Sequence, residues 1–120
     1  MSDLLLFPCS HGEDDPERAT VPFIAAATAA VSGQRAVVVC TVEAAWLGVP
    51  GTLERIEVPG MPALADLARQ LVASGGELWL CSACAVKRGI TGEGLVEGAT
   101  IVGAARIVEA LLEGRAITLT

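Results

Sequence analysis

Aromatic residues are scarce in this sequence: its 120 positions include two Trp, two Phe and no Tyr. Ala, Val, Leu and Ile must therefore supply most of the apolar core. Hydrophobic residues make up 52% of the chain and charged residues 18%, which excludes a disordered segment. This composition favours helices packed on a parallel sheet over an aromatic-rich β-sandwich. The length is that of one domain, residues 1–120.

Positive charge is also scarce. Eight Lys and Arg residues face 14 Asp and Glu residues, so the formal net charge is −6, and the cations are scattered. Nucleic-acid binding needs a basic face that neutralises phosphates, and membrane-surface binding needs a similar one. A glycine-rich phosphate loop is missing too, because Ser10–Glu13 carries an acid where phosphate would bind. The sequence therefore gives no support to any of these three functions.

No segment has the character of a membrane span or a secretory signal. The longest uncharged stretch, Ala19–Gln34, is too short to cross a bilayer and contains Pro22. The amino terminus, Met1–Leu4, has an acid and only a brief apolar run. We therefore expect a cytoplasmic protein, whose thiols stay reduced. The four cysteines then indicate reactive, metal-binding or buried side chains rather than a disulfide framework.

Short apolar runs predict the strands of a sheet that is covered on both faces. The strongest three are continuous rather than alternating, as in buried parallel strands: Leu4–Phe7, Ala36–Val42 and Leu78–Leu80. Cys40 lies inside the second run and is predicted to be a core residue. Two weaker candidates, Glu54–Val58 and Ala116–Thr120, mix polar with apolar residues and suit positions nearer a sheet edge.

Helical patterns separate these runs. Apolar residues recur with helical spacing between Pro62 and Gly75, and a second such pattern ends at Gly114. Asp15 followed by proline predicts a third helix start, with either a kink or a second start near Pro22. The alternation of strands and helices predicts a three-layer α/β sandwich with a five-stranded, mostly parallel sheet.

The segment that begins at Cys81 carries the clearest chemical signal. The apolar run Leu78–Leu80 ends in Cys81, and Cys84 follows three residues later. Lys87 and Arg88 lie one turn further on. If a helix begins after the strand, Cys81 faces free N–H groups and the positive end of the helix, which depress a thiol pKa. The alternative is two buried cysteines that pack as small hydrophobes.

The end of the first strand carries a second group of candidates, Cys9, His11 and Gly12. In an open parallel sheet, ligands bind outside the carboxyl ends of the strands. The single histidine and three of the four cysteines are thus predicted to lie on one edge. Cys9, His11, Cys81 and Cys84 would suit tetrahedral zinc. That alternative requires the ends of two strands to be neighbours, and the sequence does not fix the strand order.

The segment Cys81-Ser-Ala-Cys-Ala-Val-Lys-Arg-Gly-Ile90 resembles the cysteine-bearing segment of the DsrE/DsrF/TusD-like family, where an Arg-Gly pair follows in the next helix. His11–Thr20 is similar to the family's first loop and helix start. Gly98–Gly103 is similar to its closing segment and Ala116–Thr120 to its last strand. The resemblance thus spans nearly the whole chain, in order.

This resemblance implies a DsrE-like fold of flavodoxin-like shape with a five-stranded, largely parallel sheet. It also implies homotrimers, homohexamers or hetero-oligomers with sister subunits. The best-understood members relay sulfur as a cysteine persulfide, and Cys81 matches the cysteine that carries it. Cys84 matches only the relatives with Cys-x-x-Cys, because TusD-like members have a residue more like alanine there.

We therefore predict a cytoplasmic sulfur carrier or sulfurtransferase that accepts sulfur on Cys81 and passes it to a partner protein. In this hypothesis Arg88 stabilises the thiolate and Cys84 resolves the persulfide. The residues expected to bind the sulfur donor are His11, Gly12 and Lys87. The alternatives are thiol–disulfide exchange by Cys81 and Cys84, the zinc site, and a structural oligomeric subunit without catalysis. Zinc apart, no cofactor is expected.

Overall fold

Five strands alternate with four α-helices along residues 4–120, the part of the chain that the computed structural model describes. The strands are β1 (Leu4–Cys9), β2 (Arg35–Cys40), β3 (Glu77–Cys81), β4 (Ala99–Val102) and β5 (Arg115–Ala116). The helices are α1 (Pro16–Val31), α2 (Leu64–Ala73), α3 (Ser82–Lys87) and α4 (Ala104–Glu113). Two 3-10 helices, Val42–Gly48 and Leu53–Arg55, follow β2. None of the helices in this range combines the length and the apolar character that crossing a membrane requires.

The strands form one sheet in the order β4-β3-β2-β1-β5, and every neighbouring pair is parallel. The α/β class and the five-stranded sheet predicted from the sequence are therefore confirmed. Strand β2 lies in the centre: its Cys40 is in register with Cys9 of β1 on one side and with Leu80 of β3 on the other. The carboxyl ends of β1, β2 and β3 thus lie side by side along one edge.

Helices cover both faces of the sheet. Successive residues of a strand point to opposite faces, so each strand contributes side chains to both of the covered faces. Helices α1 and α2 pack on one face, where the core includes Phe23, Leu71, Val38 and Leu80. Helix α4 packs on the other face through Ala110, over a smaller cluster. The buried strand residues of that cluster are Leu4, Leu6, Val37, Val39 and Trp79. This double burial explains why the strands appear in the sequence as continuous apolar runs.

Glu54–Val58 was predicted as a strand, and this prediction is wrong. The segment overlaps the 3-10 helix Leu53–Arg55 and then continues without regular structure. Its buried residues are Leu53 and Ile56, three positions apart. That spacing buries one side of a helical turn, whereas a strand with one covered face would bury every second residue.

The fifth strand is instead β4, which lies within Gly98–Gly103, a segment not predicted as a strand. Its side chains are only partly buried or exposed, so the apolar signal is weak. The last strand is shorter than the predicted Ala116–Thr120, because β5 contains only Arg115–Ala116. One more hydrogen bond, from the Ile117 N–H to the Leu6 carbonyl at 2.8 Å, continues its pairing with β1.

Other boundaries differ by one or two residues from prediction, and β1 and β3 are slightly longer than predicted. Helix α1 is continuous from Pro16 to Val31 and contains Pro22 in its interior, so no second helix start occurs there. Strand β2 ends at Cys40, two residues before the predicted end at Val42. Val42 instead begins a 3-10 helix, which turns the chain across the carboxyl edge of the sheet.

We predict that Gly114→Ala strongly destabilises the fold. A Cβ at Gly114 would overlap the carbonyl oxygen of Leu4, and neither backbone segment can move without disturbing β1 or α4. We expect a loss of more than about 2 kcal/mol in the free energy of unfolding, measured by denaturant titration. Gly92→Ala is the matched control, because a Cβ there would meet no atom within 4 Å. Equal stability of the two variants would contradict the close packing of Gly114 on β1.

Candidate functional site

Cys81 is at once the last residue of β3 and the residue that caps the amino end of α3. Its backbone is extended, with φ −60° and ψ 125°, and the helix begins at the next residue. Leu78–Leu80 are buried, so the strand is fixed in the core, while Cys81 itself is half-buried. The change from strand to helix predicted from the sequence is therefore present, and it leaves the sulfur partly accessible.

Hydrogen bonds lower the pKa of Cys81. The largest contribution comes from the backbone N–H of Cys84, and partial burial opposes it. The Cys84 side chain and the N–H of Ala83 lower it further. These N–H groups belong to the first turn of α3, where they have no partner within the helix. The start of the helix thus lowers the pKa of Cys81.

The sulfur of Cys84 is held by a residue with an unusual backbone. The Val42 N–H donates to Cys84 Sγ at 3.1 Å. Val42 has a φ of 53°, and it is the one non-glycine residue with positive φ among residues 4–120. A β-branched side chain in this conformation costs on the order of 1–3 kcal/mol. The surrounding structure therefore maintains a strained turn that directs a backbone donor at the second cysteine.

Arg88 connects α3 to the 3-10 helix after β2. Its Nη1 donates to the Cys84 carbonyl at 3.1 Å, and its Nη2 forms an ion pair with Glu43 Oε1 at 3.2 Å. The Arg88 side chain is only 11% exposed, and its buried Nε has no hydrogen-bond partner within residues 4–120. The guanidinium therefore binds the backbone of α3 and Glu43 rather than the Cys81 sulfur.

Gly12, in the loop after β1, lies against the backbone of Glu43, the residue that pairs with Arg88. A Cβ at Gly12 would lie 2.7 Å from the carbonyl oxygen of Glu43, so a larger residue would push the two segments apart. Glu43 thus contacts Gly12 through its backbone and Arg88 through its carboxylate. The sequence analysis missed Glu43. No local signal identifies it, because its partner lies 45 positions away.

The other two residues predicted to bind the donor lie at the surface. The Nδ1 atom of His11 and Asp14 Oδ2 are 2.9 Å apart, and the Gly12 N–H donates to Asp14 Oδ1 at 2.7 Å. The pKa of Asp14 is lowered, chiefly by the hydrogen bond from the Gly12 N–H and then by His11. His11 therefore helps to close its own loop. Lys87 is exposed in the last turn of α3.

Cys9 and Cys40 are buried in the core. Cys9 is 1% exposed, and its thiol donates to the carbonyls of His11 and Ala19 at 3.4 and 3.7 Å. Burial raises the pKa of Cys9 to about 11, although the backbone N–H of His11 opposes this. Burial also raises the pKa of Cys40. Both thiols are therefore protonated and unreactive at neutral pH, and the core position predicted for Cys40 is confirmed.

The strand order does not meet the requirement of the zinc alternative. Cys9 and His11 follow β1 whereas Cys81 and Cys84 follow β3, and β2 lies between these strands. Within residues 4–120, no three His, Cys, Asp or Glu side chains come together in a way that could hold a metal ion.

Two cavities of the fold lie away from the thiol pair. A cavity of about 390 Å³ lies beside α2 and is lined by Ala68, Val72, Leu78 and Val96, among others. A smaller one of about 200 Å³ lies next to Trp46. Neither cavity is lined by a cysteine. The site thus consists of a half-buried cysteine with a lowered pKa and a second half-buried cysteine three residues later, outside both cavities.

Comparison with known proteins gives matches at the level of fold and of family. A protein described as uncharacterized, MJ0760 of Methanocaldococcus jannaschii, is 29% identical over 102 residues, which are 85% of this chain. This chain spans only 37% of the length of that relative. The structure of the ychN protein from E. coli has a TM-score of 0.78 at 19% identity, and covers 99% of this chain and 100% of its own.

MTH1491 from Methanobacterium thermoautotrophicum, described as a protein of unknown function, has a TM-score of 0.76 at 18% identity, over 98% of this chain and 100% of its own. At these identities the two structures support the fold alone. The DsrE/DsrF-like family, in contrast, matches residues 4–119 in sequence. Because this match covers nearly the whole chain, the protein belongs to the DsrE/DsrF-like family.

Proposed function

We propose that this protein is a sulfur carrier of the cytoplasm, which accepts sulfur as a persulfide on Cys81 and passes it to a partner protein. The observation that carries the proposal is the position of Cys81, a half-buried residue at the start of α3 whose pKa is lowered, chiefly by the N–H group of Cys84. A thiolate is the form of cysteine that attacks sulfur, and a thiolate of low pKa is also a good leaving group.

Both halves of the proposed reaction use these properties. In loading, the Cys81 thiolate attacks the outer sulfur of a donor persulfide, and the donor departs as its own thiolate. In unloading, the thiolate of an acceptor attacks the outer sulfur of the Cys81 persulfide, and Cys81 departs. Each step breaks one S–S bond and forms another, so no external oxidant or reductant is needed. The N–H donors stabilise Cys81 before loading and after unloading.

The surroundings of Cys81 favour a protein as donor or acceptor. The thiol pair lines neither cavity, so a small substrate would find little enclosure there. Val42, whose N–H donates to the Cys84 sulfur, is 50% exposed, and Val86, on α3, is 77% exposed. Lys87, in the same helix, would attract an acidic partner or an anionic donor. These features suit docking of a protein surface over the cysteines.

We also propose that the protein assembles into a homotrimer or a homohexamer. Helix α4 covers one face of the sheet but leaves Val108, Leu111 and Leu112 exposed on its outer side. A row of large apolar residues on a small domain is typical of a surface that a second subunit covers.

Thiol–disulfide exchange by Cys81 and Cys84 is the second candidate. The specific observation in its favour is the placement of Cys81 as the capping residue of α3 and of Cys84 as the third residue of that helix, the position over which a capping side chain lies. In this reaction the pair would cycle between a dithiol and a disulfide without carrying an extra sulfur atom.

Intact-mass spectrometry after incubation with a persulfide donor tests the proposal. We expect Cys84→Ser, in which nothing can resolve the persulfide, to gain the mass of one sulfur atom. We expect Cys81→Ser to gain none, because Cys9 and Cys40 are buried and the thiol with the lowered pKa has been removed. Sulfur uptake by Cys81→Ser equal to that by Cys84→Ser would contradict the assignment of Cys81. If the wild type loses two hydrogens with an oxidant but no chain takes up sulfur, thiol–disulfide exchange is the function.

We further predict that alkylation of Cys81 depends on pH with an inflection below that of free cysteine, whose pKa is about 8.5. Cys84→Ala and Cys84→Ser both leave Cys81 as the only accessible thiol. The rate falls as pH falls through the lowered pKa, because the thiolate is then protonated. The inflection should be lower in the serine variant, whose hydroxyl still donates to Cys81, than in the alanine variant.

Both inflections should remain below the value of free cysteine, because the N–H groups of Cys84 and Ala83 are present in both variants. The rate of iodoacetamide modification between pH 5 and 10, followed by peptide mapping to Cys81, provides the measurement. An inflection at or above that of free cysteine in both variants would show that the helix start does not stabilise the thiolate.

A further inference from the structure

The position of Cys84 has a chemical consequence that sulfur transfer to a partner does not require. Cys84 is the third residue of the helix that Cys81 caps, the position over which the side chain of a capping residue lies. The Val42 N–H donates to the Cys84 sulfur at 3.1 Å. Arg88 binds the Cys84 carbonyl at 3.1 Å and Glu43 at 3.2 Å, which fixes this turn of α3 to the segment containing Val42. Several contacts thus hold the second sulfur at a defined place, and the positive φ of Val42 is part of that arrangement.

We propose that Cys84 gives this protein a second route for discharging sulfur: it attacks the inner sulfur of the Cys81 persulfide and releases the outer sulfur as hydrosulfide. The inference rests on the proposed function, because the reaction starts from the persulfide. It adds an activity, the reductive release of sulfide, that a simple carrier lacks. The oxidised product is an intramolecular Cys81–Cys84 disulfide.

The step balances without a further reactant. The bond between Cys81 Sγ and the outer sulfur breaks, and a bond between Cys81 Sγ and Cys84 Sγ forms. The proton of the Cys84 thiol is transferred to the departing sulfur, which leaves as HS⁻ from an initially anionic persulfide. The outer sulfur gains two electrons, and the two cysteines lose them as they form the disulfide. A dithiol reductant then restores the pair by thiol–disulfide exchange.

The two routes differ in the sulfur atom that is attacked. An acceptor protein approaches from solvent and meets the outer sulfur of the persulfide. Cys84 lies next to the Cys81 sulfur itself, so its attack is directed at the inner one. The two remaining cysteines do not compete, because Cys9 and Cys40 are buried in the core. The structure therefore assigns the internal reaction to Cys84 alone among the four thiols.

The test measures the fate of a single loaded sulfur without an acceptor. Wild-type protein, Cys84→Ser and Cys84→Ala are reduced, freed of reductant, and mixed anaerobically with one equivalent of a cysteine persulfide. Samples quenched over time are analysed by intact mass, and hydrosulfide is trapped with monobromobimane. Two variants are used so that a folding defect in one of them does not decide the result, and circular dichroism verifies that each is folded.

We expect the wild type to pass from the persulfide to a species two hydrogens lighter than the reduced chain, with release of one hydrosulfide per disulfide formed. Both variants should retain the added sulfur at least about tenfold longer, because they lack the neighbouring thiol. The wild-type rate should not change over a tenfold range of protein concentration, as an intramolecular step requires. Dithiothreitol should return the wild type to its reduced mass.

Two outcomes overturn the inference, and they can be told apart. If all three chains take up sulfur and retain it equally long, Cys84 does not release sulfide, but the proposed carrier function stands. If no chain takes up sulfur, the carrier function fails and this inference fails with it. A rate proportional to protein concentration would assign the release to attack by a second molecule, which also contradicts it.

Discussion

The position of Cys81 at the start of α3 is the constraint on which the site depends. Its effect is clearest in comparison with Cys9, which also ends a strand of the same sheet. The Cys9 thiol is buried, and burial raises its pKa to about 11. Cys81 instead lies next to the backbone N–H groups of a helix start, chiefly that of Cys84, which lower its pKa. The difference arises because a helix begins directly after β3, whereas a loop of six residues separates β1 from α1.

The remaining contacts of the site keep that helix start in place. Helix α3 has only six residues and a single buried one, Ala85, so packing alone holds it weakly. Arg88 fixes the helix in place in addition to this packing, because it binds both the backbone of the helix and Glu43 on the neighbouring segment. A planar guanidinium can reach two such partners in fixed directions, which a lysine ammonium cannot do as well. Gly12 in turn allows the loop after β1 to lie against Glu43. The ends of three strands are joined in this way without a metal or a disulfide within residues 4–120.

The elements that the sequence predicts correctly are those whose signal lies within a short segment of the chain. The strands β1, β2 and β3 are doubly covered, so their residues form unbroken apolar runs, and α2 and α4 bury one side and show helical spacing. Cys81 and Cys84 could be assigned because a strand end, a helix start and both thiols fall within four consecutive positions. The sequence failed where the signal is distant or diluted. Strand β4 is only partly buried, and the pairing of Arg88 with Glu43 joins positions 45 apart. The order of the strands, which separates Cys9 from Cys81, depends on packing that no short segment records.

The closeness of Cys84 to Cys81 places a condition on any acceptor in the proposed relay. A neighbouring thiol fixed in the same chain reacts as if it were present at very high concentration, whereas a free acceptor thiol reacts only when it collides with the site. An acceptor that does not dock would therefore lose the sulfur to the internal reaction. A docked acceptor competes on equal terms, because it too is held in place and because it attacks the exposed outer sulfur. In the proposed relay, the exposed Val42 and Val86 and the cationic Lys87 form the surface at which such an acceptor docks. Occupancy of that surface then decides, in the proposed relay, whether the outer sulfur is transferred to an acceptor or released as sulfide.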